Sequence, residues 1–370
     1  MTTSRAFRFA DDLGPKAVLH VYQPAIELQG IVVVDNVACG PAIGGVRMAP
    51  DVSLEECFRL ARAMTFKNAS AGLPHGGAKS VIFADPAMDI EAKEQLIRAY
   101  AQAIRPITDY IPGPDMGTNE AAMAWIRDEG GQCAGLPKDV GGIPLDEIGA
   151  TAFGLVASAD VAKELLDMSL EGARVAMQGF GAVGKHAARF FANRGSILVA
   201  AADSSGTVYD PHGIDVPGLI THKENGGRIS QFEGGEHLER EAVISVDCDI
   251  LVPAARPDVI RAGNQDTVKA KLIVPGANIG VTEEAEELLH KRGVLCVPDF
   301  IANAGGVICA AVEYAGGTEA QVFDIIDEKV RTNTTETFER MQREEVLPRE
   351  AAVTMARERV LGAMRFERFN

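Results

Sequence analysis

The sequence is short of several features that mark particular classes of protein. It has only six cysteines and no CxxC pair, which favours a reduced, cytoplasmic location over a disulfide framework. Its seven histidines are dispersed without ligand spacing, so we expect no metal ion. No apolar run approaches the roughly 18 residues of a membrane span, and the N-terminal segment MTTSRAFRFADD lacks the apolar core of a signal peptide.

Positive charge is also scarce. The 36 lysines and arginines are outnumbered by 52 aspartates and glutamates, which gives a formal net charge of -16. Nucleic acids and anionic membranes bind cationic patches, so we expect neither as a partner. The 370 residues, 46% of them hydrophobic, are ordinary for a globular protein and exceed what one core usually holds, so two domains are expected.

Glycine, by contrast, is plentiful, with 38 residues clustered between apolar runs, which is typical of sheets with tight strand-to-helix loops. In the C-terminal half, continuous apolar segments alternate with helical patterns and predict a doubly wound, Rossmann-like parallel sheet. We therefore predict a two-domain α/β protein with a cleft between the domains. Residues 1–140, with returning helices at 331–370, form a substrate-binding and oligomerisation domain, and residues 141–330 form a dinucleotide-binding domain.

A GxGxxG pattern lies in the segment QGFGAVGKHAARFF, at Gly179, Gly181 and Gly184. It follows a predicted strand at 173–178 and opens a predicted helix at 182–194. In this context the glycines permit a tight turn, a close approach to a pyrophosphate and close packing of helix on strand, while the helix N-terminus attracts the phosphates. The pattern therefore predicts a dinucleotide site.

Asp203 ends the next predicted strand, 19 residues beyond Gly184, where a ribose-binding acid is expected. Its carboxylate would accept hydrogen bonds from the ribose hydroxyls and repel a 2′-phosphate, so NAD is favoured. Ser204 and Ser205 could tolerate a phosphate, which leaves NADP as an alternative.

Two lysines and an aspartate stand out in the N-terminal half: Lys67 in MTFKNASAG, Lys79 in LPHGGAKSV and Asp115 in IPGPDMGTNE. Neighbouring small residues would let a small substrate reach backbone and ammonium together. A lysine close to a second lysine in a closed cleft has its charged form disfavoured and can act as a general base. On residue type alone, solvated surface lysines are the ordinary interpretation.

Five motifs change that interpretation: GPAIGGVRM, LARAMTFKNASAGLPHGGAKSVIFADP, GPDMGTNEAAMAW, GFGAVG and PDFIANAGGVI. In order and spacing they resemble the glutamate/leucine/phenylalanine/valine dehydrogenase superfamily, from about residue 17 to 316. The resemblance implies a homo-oligomer that uses NAD to convert an L-amino acid reversibly to a 2-oxo acid and ammonium. The apolar segment 28–35 would suit a sheet edge that pairs between subunits.

The resemblance also implies residue roles. Lys79 is expected to polarise the carbonyl or activate water, Asp115 to exchange a proton with the substrate nitrogen, and Lys67 to hold the α-carboxylate. The remaining substrate contacts are expected at Ile43, Gly45, Gly113, Val307 and Ala310. The cofactor contacts are expected at Thr151, Gly179, Gly181, Ala182, Val183, Gly184, Asp203, Ser204, Ala254, Asn278 and Asn303.

Two departures from the family pattern bear on the substrate. Glutamate enzymes have a lysine where this chain has Ile43 and a serine where it has Ala310, so a γ-carboxylate would be buried without partners. An apolar, branched-chain or aromatic substrate is therefore predicted. Glutamate remains an alternative because GPDMGTNEAAMAW resembles glutamate enzymes more closely, and Asp146 and Glu147 would suit another polar side chain. A non-catalytic NAD-binding regulatory relative is a further alternative, against which the intact lysines and Asp115 argue.

Overall fold

The protein forms two compact units in a computed structural model that describes residues 7–367. Of the described residues, the first unit comprises 7–144, Val307–Val322 and 353–367. The second comprises Leu145–Gly306 and Phe323–Ala352. Each unit is built around its own sheet, and the predicted two-domain α/β fold is confirmed.

The first unit holds a five-stranded mixed sheet in the order β1-β2-β4-β3-β5. Strands β1, β2 and β4 pair antiparallel, whereas β3 runs parallel to both β4 and β5. The elements are β1 (Ala17–Gln23), β2 (Leu28–Asn36), β3 (Ala42–Met48), α1 (Leu54–Ser70), β4 (Gly76–Ile82), α2 (Ile90–Ile104), β5 (Tyr110–Pro114) and α3 (Glu120–Asp128). Helix α1 begins at a side-chain cap, because Ser53 Oγ accepts the Glu56 N–H at 3.1 Å.

Strand β2 lies inside this sheet, between β1 and β4, and not at an edge, so the expectation for segment 28–35 was wrong. Its apolar residues alternate between two buried clusters, with Val32 and Val34 on one face and Ile31 and Val33 on the other. A continuous apolar run thus marks a strand covered on both faces. The edge on this side is β1, where the Tyr22 side chain is exposed.

The glycine-rich segment AIGGVRM forms strand β3, which sequence patterning did not predict. Two consecutive glycines, Gly44 and Gly45, lie inside this strand and serve strand pairing. A Cβ atom on Gly44 would lie 1.7 Å from the carbonyl oxygen of Ala78 on β4, so only glycine permits the two strands to approach this closely. Strand β4 likewise begins with a pair of glycines, Gly76 and Gly77.

The second unit holds a seven-stranded sheet in the order β12-β11-β10-β6-β7-β8-β9, parallel except for the antiparallel β8 and β9. Its strands are β6 (Arg174–Gln178), β7 (Ile197–Asp203), β8 (Gly206–Tyr209), β9 (Glu236–Leu238), β10 (Ile250–Pro253), β11 (Leu272–Ile273) and β12 (Leu295–Cys296). Its helices are α4 (Leu145–Ile148), α5 (Ala150–Ala162), α6 (Ala182–Ala192), α7 (Val216–Glu224), α8 (Glu283–Lys291) and α9 (Asp299–Ala302). The chain ends with α10 (Gly305–Tyr314), α11 (Glu319–Glu344) and α12 (Pro348–Met364).

The division into units differs from the predicted bounds in the C-terminal region. Residues 331–352 group with the second unit, and 307–322 with the first. The reason is local packing of α11, since Phe323 contacts the Phe153 ring at 4.9 Å and Arg331 forms an ion pair with Asp160 at 2.7 Å. The predicted return to the first unit therefore begins only at Val353.

Residues 7–367 contain no helix that is long and apolar enough to cross a membrane. In the same range, no group of three or more His, Cys, Asp or Glu side chains is arranged to hold a metal ion. The six cysteines form no disulfide, and five of them are buried.

Candidate functional site

Lys79 and Asp115 form an ion pair in the first unit. Lys79 lies on β4 and Asp115 directly follows β5, with β3 between these two strands. The Lys79 Nζ is 2.5 Å from the Asp115 Oδ2, and the Lys79 side chain is only 7% exposed. Lys79 thus lies against an opposite charge.

Gly45 is what allows this pair to meet across β3. It is the Cα partner of Gly113 on β5, and a Cβ atom added to it would lie 2.7 Å from the Asp115 Cβ and 3.1 Å from the Lys79 Nζ. Any side chain here would displace one member of the pair. The predicted substrate residue Gly45 thus lies directly beside the two predicted catalytic residues.

Arg47 is a member of this site that sequence analysis missed. Its Nε lies 3.2 Å from the Asp115 Oδ2, and its Nη1 lies 2.5 Å from the Glu56 Oε1 on α1. Arg47 follows Gly45 by two residues and so shares its face of β3, which is the signal that could have revealed it. Burial acts to raise the pKa of Asp115, but the positive charges of Lys79 and Arg47 have the larger combined effect. The pKa of Asp115 therefore lies below its usual value.

The other predicted substrate residues lie on the same sheet or on α10. Ile43 is buried on β3, two residues before Gly45 and on the same face. Lys67 is half-buried in the last turn of α1. Val307 and Ala310 are three residues apart on α10, both partly exposed. The structure thus joins Lys79, Asp115, Gly45 and Gly113 directly, and places the remaining four in the same unit.

Glu313 is a second residue whose role was not predicted. Its carboxylate accepts the N–H groups of Gly135, Leu136 and Ile143 at 2.8, 3.0 and 2.7 Å. In the same segment of the chain, the Ala134 N–H donates a hydrogen bond to the carbonyl oxygen of Pro112 on β5. Glu313 therefore holds the glycine-rich segment 130–143 to α10, and the Ala134 N–H holds the same segment to β5, the strand that leads to Asp115.

A cavity of about 910 Å³ in the second unit opens where β6 turns into α6. A Cβ on Gly181 would meet no atom within 4 Å, whereas one on Gly184 would lie 1.9 Å from the Gly179 carbonyl oxygen. Gly181 therefore faces open space, and Gly184 allows the close packing expected at the third glycine. The cavity is lined by Gly179, Gly181, Asp203, Ser204 and Ala254 among the predicted cofactor residues, and Ala182 begins α6 beside it.

The remaining predicted cofactor residues meet one another near the same strand ends. Asn303 Nδ2 donates to Asn278 Oδ1 at 3.1 Å and to the Gly276 carbonyl oxygen at 3.3 Å. A Cβ on Gly276 would contact Val183 and Ala254 at 2.9 and 3.3 Å. In turn, a Cβ on Gly306 would lie 2.9 Å from Thr151 Oγ1. Asn278 thus pairs with Asn303, Val183 and Ala254 lie beside Gly276, and Thr151 lies against the start of α10.

Two buried acceptors in this region have no hydrogen-bond partner among the described residues: Asn303 Oδ1 and Gln178 Oε1. Such atoms are costly unless something donates to them. A carboxamide N–H₂ or a ribose hydroxyl would satisfy them, so these residues fit a nicotinamide dinucleotide. Asn303 and Thr151 would hold the nicotinamide end, and the α6 N-terminus the pyrophosphate.

Asp203 is already engaged by its own chain. Its Oδ1 accepts the Ser205 N–H at 2.8 Å, and its Oδ2 accepts from Lys223 Nζ at 2.6 Å and from the Ile229 N–H at 3.2 Å. Burial acts to raise the pKa of Asp203, but these partners lower it to about 2. The expected ribose-binding acid is thus a charge-compensated carboxylate, and Lys223 is a cation at this position that the sequence did not reveal.

The fold and these two sites define a class: a two-domain α/β dehydrogenase with a dinucleotide-binding unit. Residues 19–131 match the dimerisation domain of the Glu/Leu/Phe/Val dehydrogenases, and residues 141–368 match the Glutamate/Leucine/Phenylalanine/Valine dehydrogenase domain. The chain belongs to this family, as the motifs predicted, and is an amino-acid dehydrogenase that uses a nicotinamide cofactor.

Individual relatives agree with this assignment. The glutamate dehydrogenase of Aeropyrum pernix is 38% identical over 89% of this chain and 84% of its own. The NADP(+)-dependent glutamate dehydrogenase of Pyrobaculum calidifontis is 36% identical over 91% and 86%. The hetero-hexameric glutamate dehydrogenase of Thermus thermophilus, in a leucine-bound crystal structure, superposes with a TM-score of 0.85 at 30% identity, covering 95% of this chain and 89% of that one.

Proposed function

We propose that this protein catalyses NAD-dependent, reversible oxidative deamination of an apolar L-amino acid to its 2-oxo acid and ammonium. The single observation that supports the chemistry best is the buried Lys79–Asp115 ion pair beside Gly45. Gly45, which has no side chain, lies beside the Asp115 carboxylate and the Lys79 ammonium, so a small substrate can approach both groups.

The residues of the first unit divide the chemistry among them. Lys67 neutralises the α-carboxylate of the substrate. Asp115, ionised because its pKa is low, accepts a proton from the substrate ammonium, which frees the nitrogen lone pair for iminium formation. A nicotinamide, when bound, would supply the hydride acceptor.

Lys79 then orients the water that adds to the iminium carbon, and its positive charge stabilises the developing oxyanion. The adding water loses one proton to solvent, which gives a carbinolamine. Asp115 then returns its proton to the amino nitrogen of the carbinolamine. As the C–N bond breaks, the hydroxyl becomes the carbonyl of the 2-oxo acid, and its proton leaves with the ammonia as ammonium. The same residues run in reverse for reductive amination. This account needs an ionised Asp115, and its two cationic neighbours, Lys79 and Arg47, supply that condition.

The substrate preference rests on two residues, Ile43 and Ala310. Ile43 is buried on the face of β3 that carries Gly45, and Ala310 lies on α10, where glutamate enzymes of this family carry polar residues. A γ-carboxylate would lose its hydration without gaining partners there. Glutamate is the second candidate, and the names of the relatives support it.

For the cofactor we infer a preference for NAD over NADP. The Asp203 carboxylate is ionised and lines the cavity, where it disfavours a 2′-phosphate. Lys223 compensates part of this charge, which makes NADP the alternative, and one relative is named as NADP(+)-dependent. We therefore expect the preference for NAD over NADP to be modest.

We further propose a homo-oligomer located in the cytoplasm. The match to a dimerisation domain supports self-association, and the exposed side chains of Val18 and Tyr22 on edge strand β1 offer an apolar surface for it. Cysteines without disulfides suit a reducing compartment.

The proposal is tested by following NADH formation with each of the twenty amino acids, and NADH consumption with the corresponding 2-oxo acids plus ammonium. Leucine-, valine- or phenylalanine-like substrates should give the highest kcat/KM. The double variant Ile43→Lys/Ala310→Ser should move the preference toward glutamate. If the wild type prefers glutamate, the apolar assignment is wrong; if no amino acid or 2-oxo acid reacts, the non-catalytic alternative holds.

A further inference from the structure

Arg349, near the start of α12, belongs to a buried group of three charged side chains in the second unit. Its Nε donates to Glu286 Oε2 at 2.6 Å, and its Nη2 donates to Glu286 Oε1 and to Asp299 Oδ1, both at 2.7 Å. Both carboxylate side chains are only 7% exposed. The planar guanidinium fork fixes this geometry in a way that a flexible ammonium would not.

The second oxygen of Asp299 holds a strained backbone. Asp299 Oδ2 accepts the Ile279 N–H at 2.7 Å, and Ile279 has a φ of +54°. This left-handed conformation is rare for a β-branched residue, and it persists only where the surroundings hold it. The Ile279 side chain is 43% exposed, so hydrogen bonds to its backbone, and not burial of its side chain, supply the restraint.

The restrained loop, which runs from β11 to α8, carries residues of the cofactor site. Asn278 directly precedes Ile279 and accepts a hydrogen bond from Asn303. The Asn303 Oδ1 has no hydrogen-bond donor among the described residues. The Ile279 carbonyl oxygen also accepts the N–H of Asp258, which lines the 910 Å³ cavity. This loop lies at the carboxyl ends of parallel strands, where ligands bind in such sheets.

We propose that Arg349 is a positioning residue for the nicotinamide end of the cofactor. It acts through Asp299 and the Ile279 N–H, and thereby fixes the loop that sets Asn278 against Asn303. The inference rests on the proposed cofactor-binding function. If this ion group only stabilised the fold, its removal would lower the stability of the protein but would not weaken binding of one part of the ligand more than another.

Two ligands separate these roles: NADH, and ADP-ribose, which lacks the nicotinamide. Their dissociation constants are measured by NADH fluorescence and by calorimetry, on the full chain at temperatures where circular dichroism shows each variant folded. Arg349→Met should weaken NADH binding about tenfold, the scale of one lost hydrogen bond to a ligand, while ADP-ribose changes less than about twofold. Arg349→Lys should recover part of the loss.

Arg331→Met is the matched control, since Arg331 also joins two carboxylates of the second unit, Asp160 and Asp327. It should leave both dissociation constants unchanged. Equal weakening of NADH and ADP-ribose by Arg349→Met, or no weakening of either, overturns the proposal. Should Arg349→Met not fold, the nearly isosteric Asp299→Asn undergoes the same test. A wild type that binds neither ligand would instead refute the proposed function.

Discussion

The Lys79 Nζ lies 2.5 Å from the Asp115 Oδ2. Lys79 is on β4 and Asp115 follows β5, and these two strands are separated by β3, whose Gly45 lies between the two side chains. This contact joins the two residues expected to perform the chemistry. It also makes Gly45 as necessary as either of them, because the bridge exists only where the intervening residue has no side chain.

Replacing Gly45 by alanine should therefore impair catalysis more than folding. Its Cβ would lie 2.7 Å from the Asp115 Cβ, so the ion pair must shift, and a displacement of that kind costs on the order of 100-fold in kcat/KM. Steady-state kinetics and thermal melting measure the two effects. Gly362→Ala, in α12, serves as the control because a Cβ there meets no atom within 4 Å. Wild-type kinetics in Gly45→Ala would show that the pair need not meet.

Gly181→Ala should separate cofactor binding from stability. Its Cβ would contact no atom within 4 Å, so the melting temperature should stay close to wild type. The methyl group would nevertheless occupy the space where a pyrophosphate approaches, and NADH affinity should fall about tenfold or more. Gly184→Ala gives the opposite expectation, loss of folded protein, because its Cβ would lie 1.9 Å from a carbonyl oxygen. Undiminished NADH binding by Gly181→Ala would place the phosphates elsewhere.

Arg47→Met should shift the pH dependence of oxidative deamination. Arg47 is one of two cations that lower the pKa of Asp115, so its removal raises that pKa. Since Asp115 must be ionised to accept a proton, the acidic limb of the kcat/KM profile should move to higher pH. The profile of the control variant Arg98→Met, on α2, should match wild type. An unshifted acidic limb in Arg47→Met would assign that limb to another group.

Much of the cofactor loop was predictable because its chemistry is local. Gly179, Gly181 and Gly184 lie within six residues of one another, at the turn that the structure places between β6 and α6. Asp203 likewise ends β7 as expected. Its saturation by Lys223 and Ile229 was not predictable, because those partners follow 20 and 26 residues later in a loop-rich region without periodicity.

The proposed catalytic pair, by contrast, could not be placed from local sequence. Lys79 and Asp115 are 36 residues apart, and only the order of the strands in the sheet brings them together. Sequence patterning did not find β3, so it had no means to place Gly45 or Arg47 between them. The resemblance to a known family supplied their roles, whereas the reason for the glycine required the register of three strands.

Lys223→Ala should sharpen the preference for NAD. Without this cation the Asp203 carboxylate is uncompensated, and repulsion of a 2′-phosphate increases, so the ratio of kcat/KM for NAD to that for NADP should rise. Asp203→Asn should lower the same ratio. Equal ratios in wild type and both variants would remove these residues from cofactor discrimination.

The same carboxylate makes a prediction for stability. Its pKa is about 2 in the folded protein against 3.8 ordinarily, so its ionised form stabilises the fold above pH 3.8 by about 2 kcal/mol at most. That contribution to stability disappears as the pH falls from 3.8 toward 2. Denaturant titrations across the interval should therefore show a smaller dependence on pH for Asp203→Asn than for wild type. Identical slopes would mean that Asp203 titrates normally.

The most direct test of the central claim is the rate of NADH formation by Lys79→Ala with the best amino-acid substrate, measured beside its affinity for NADH. We expect the rate to fall by a factor on the order of 1,000, since a charge that stabilises the transition state is removed, while NADH still binds as in the wild type. An unchanged rate in Lys79→Ala would contradict the account.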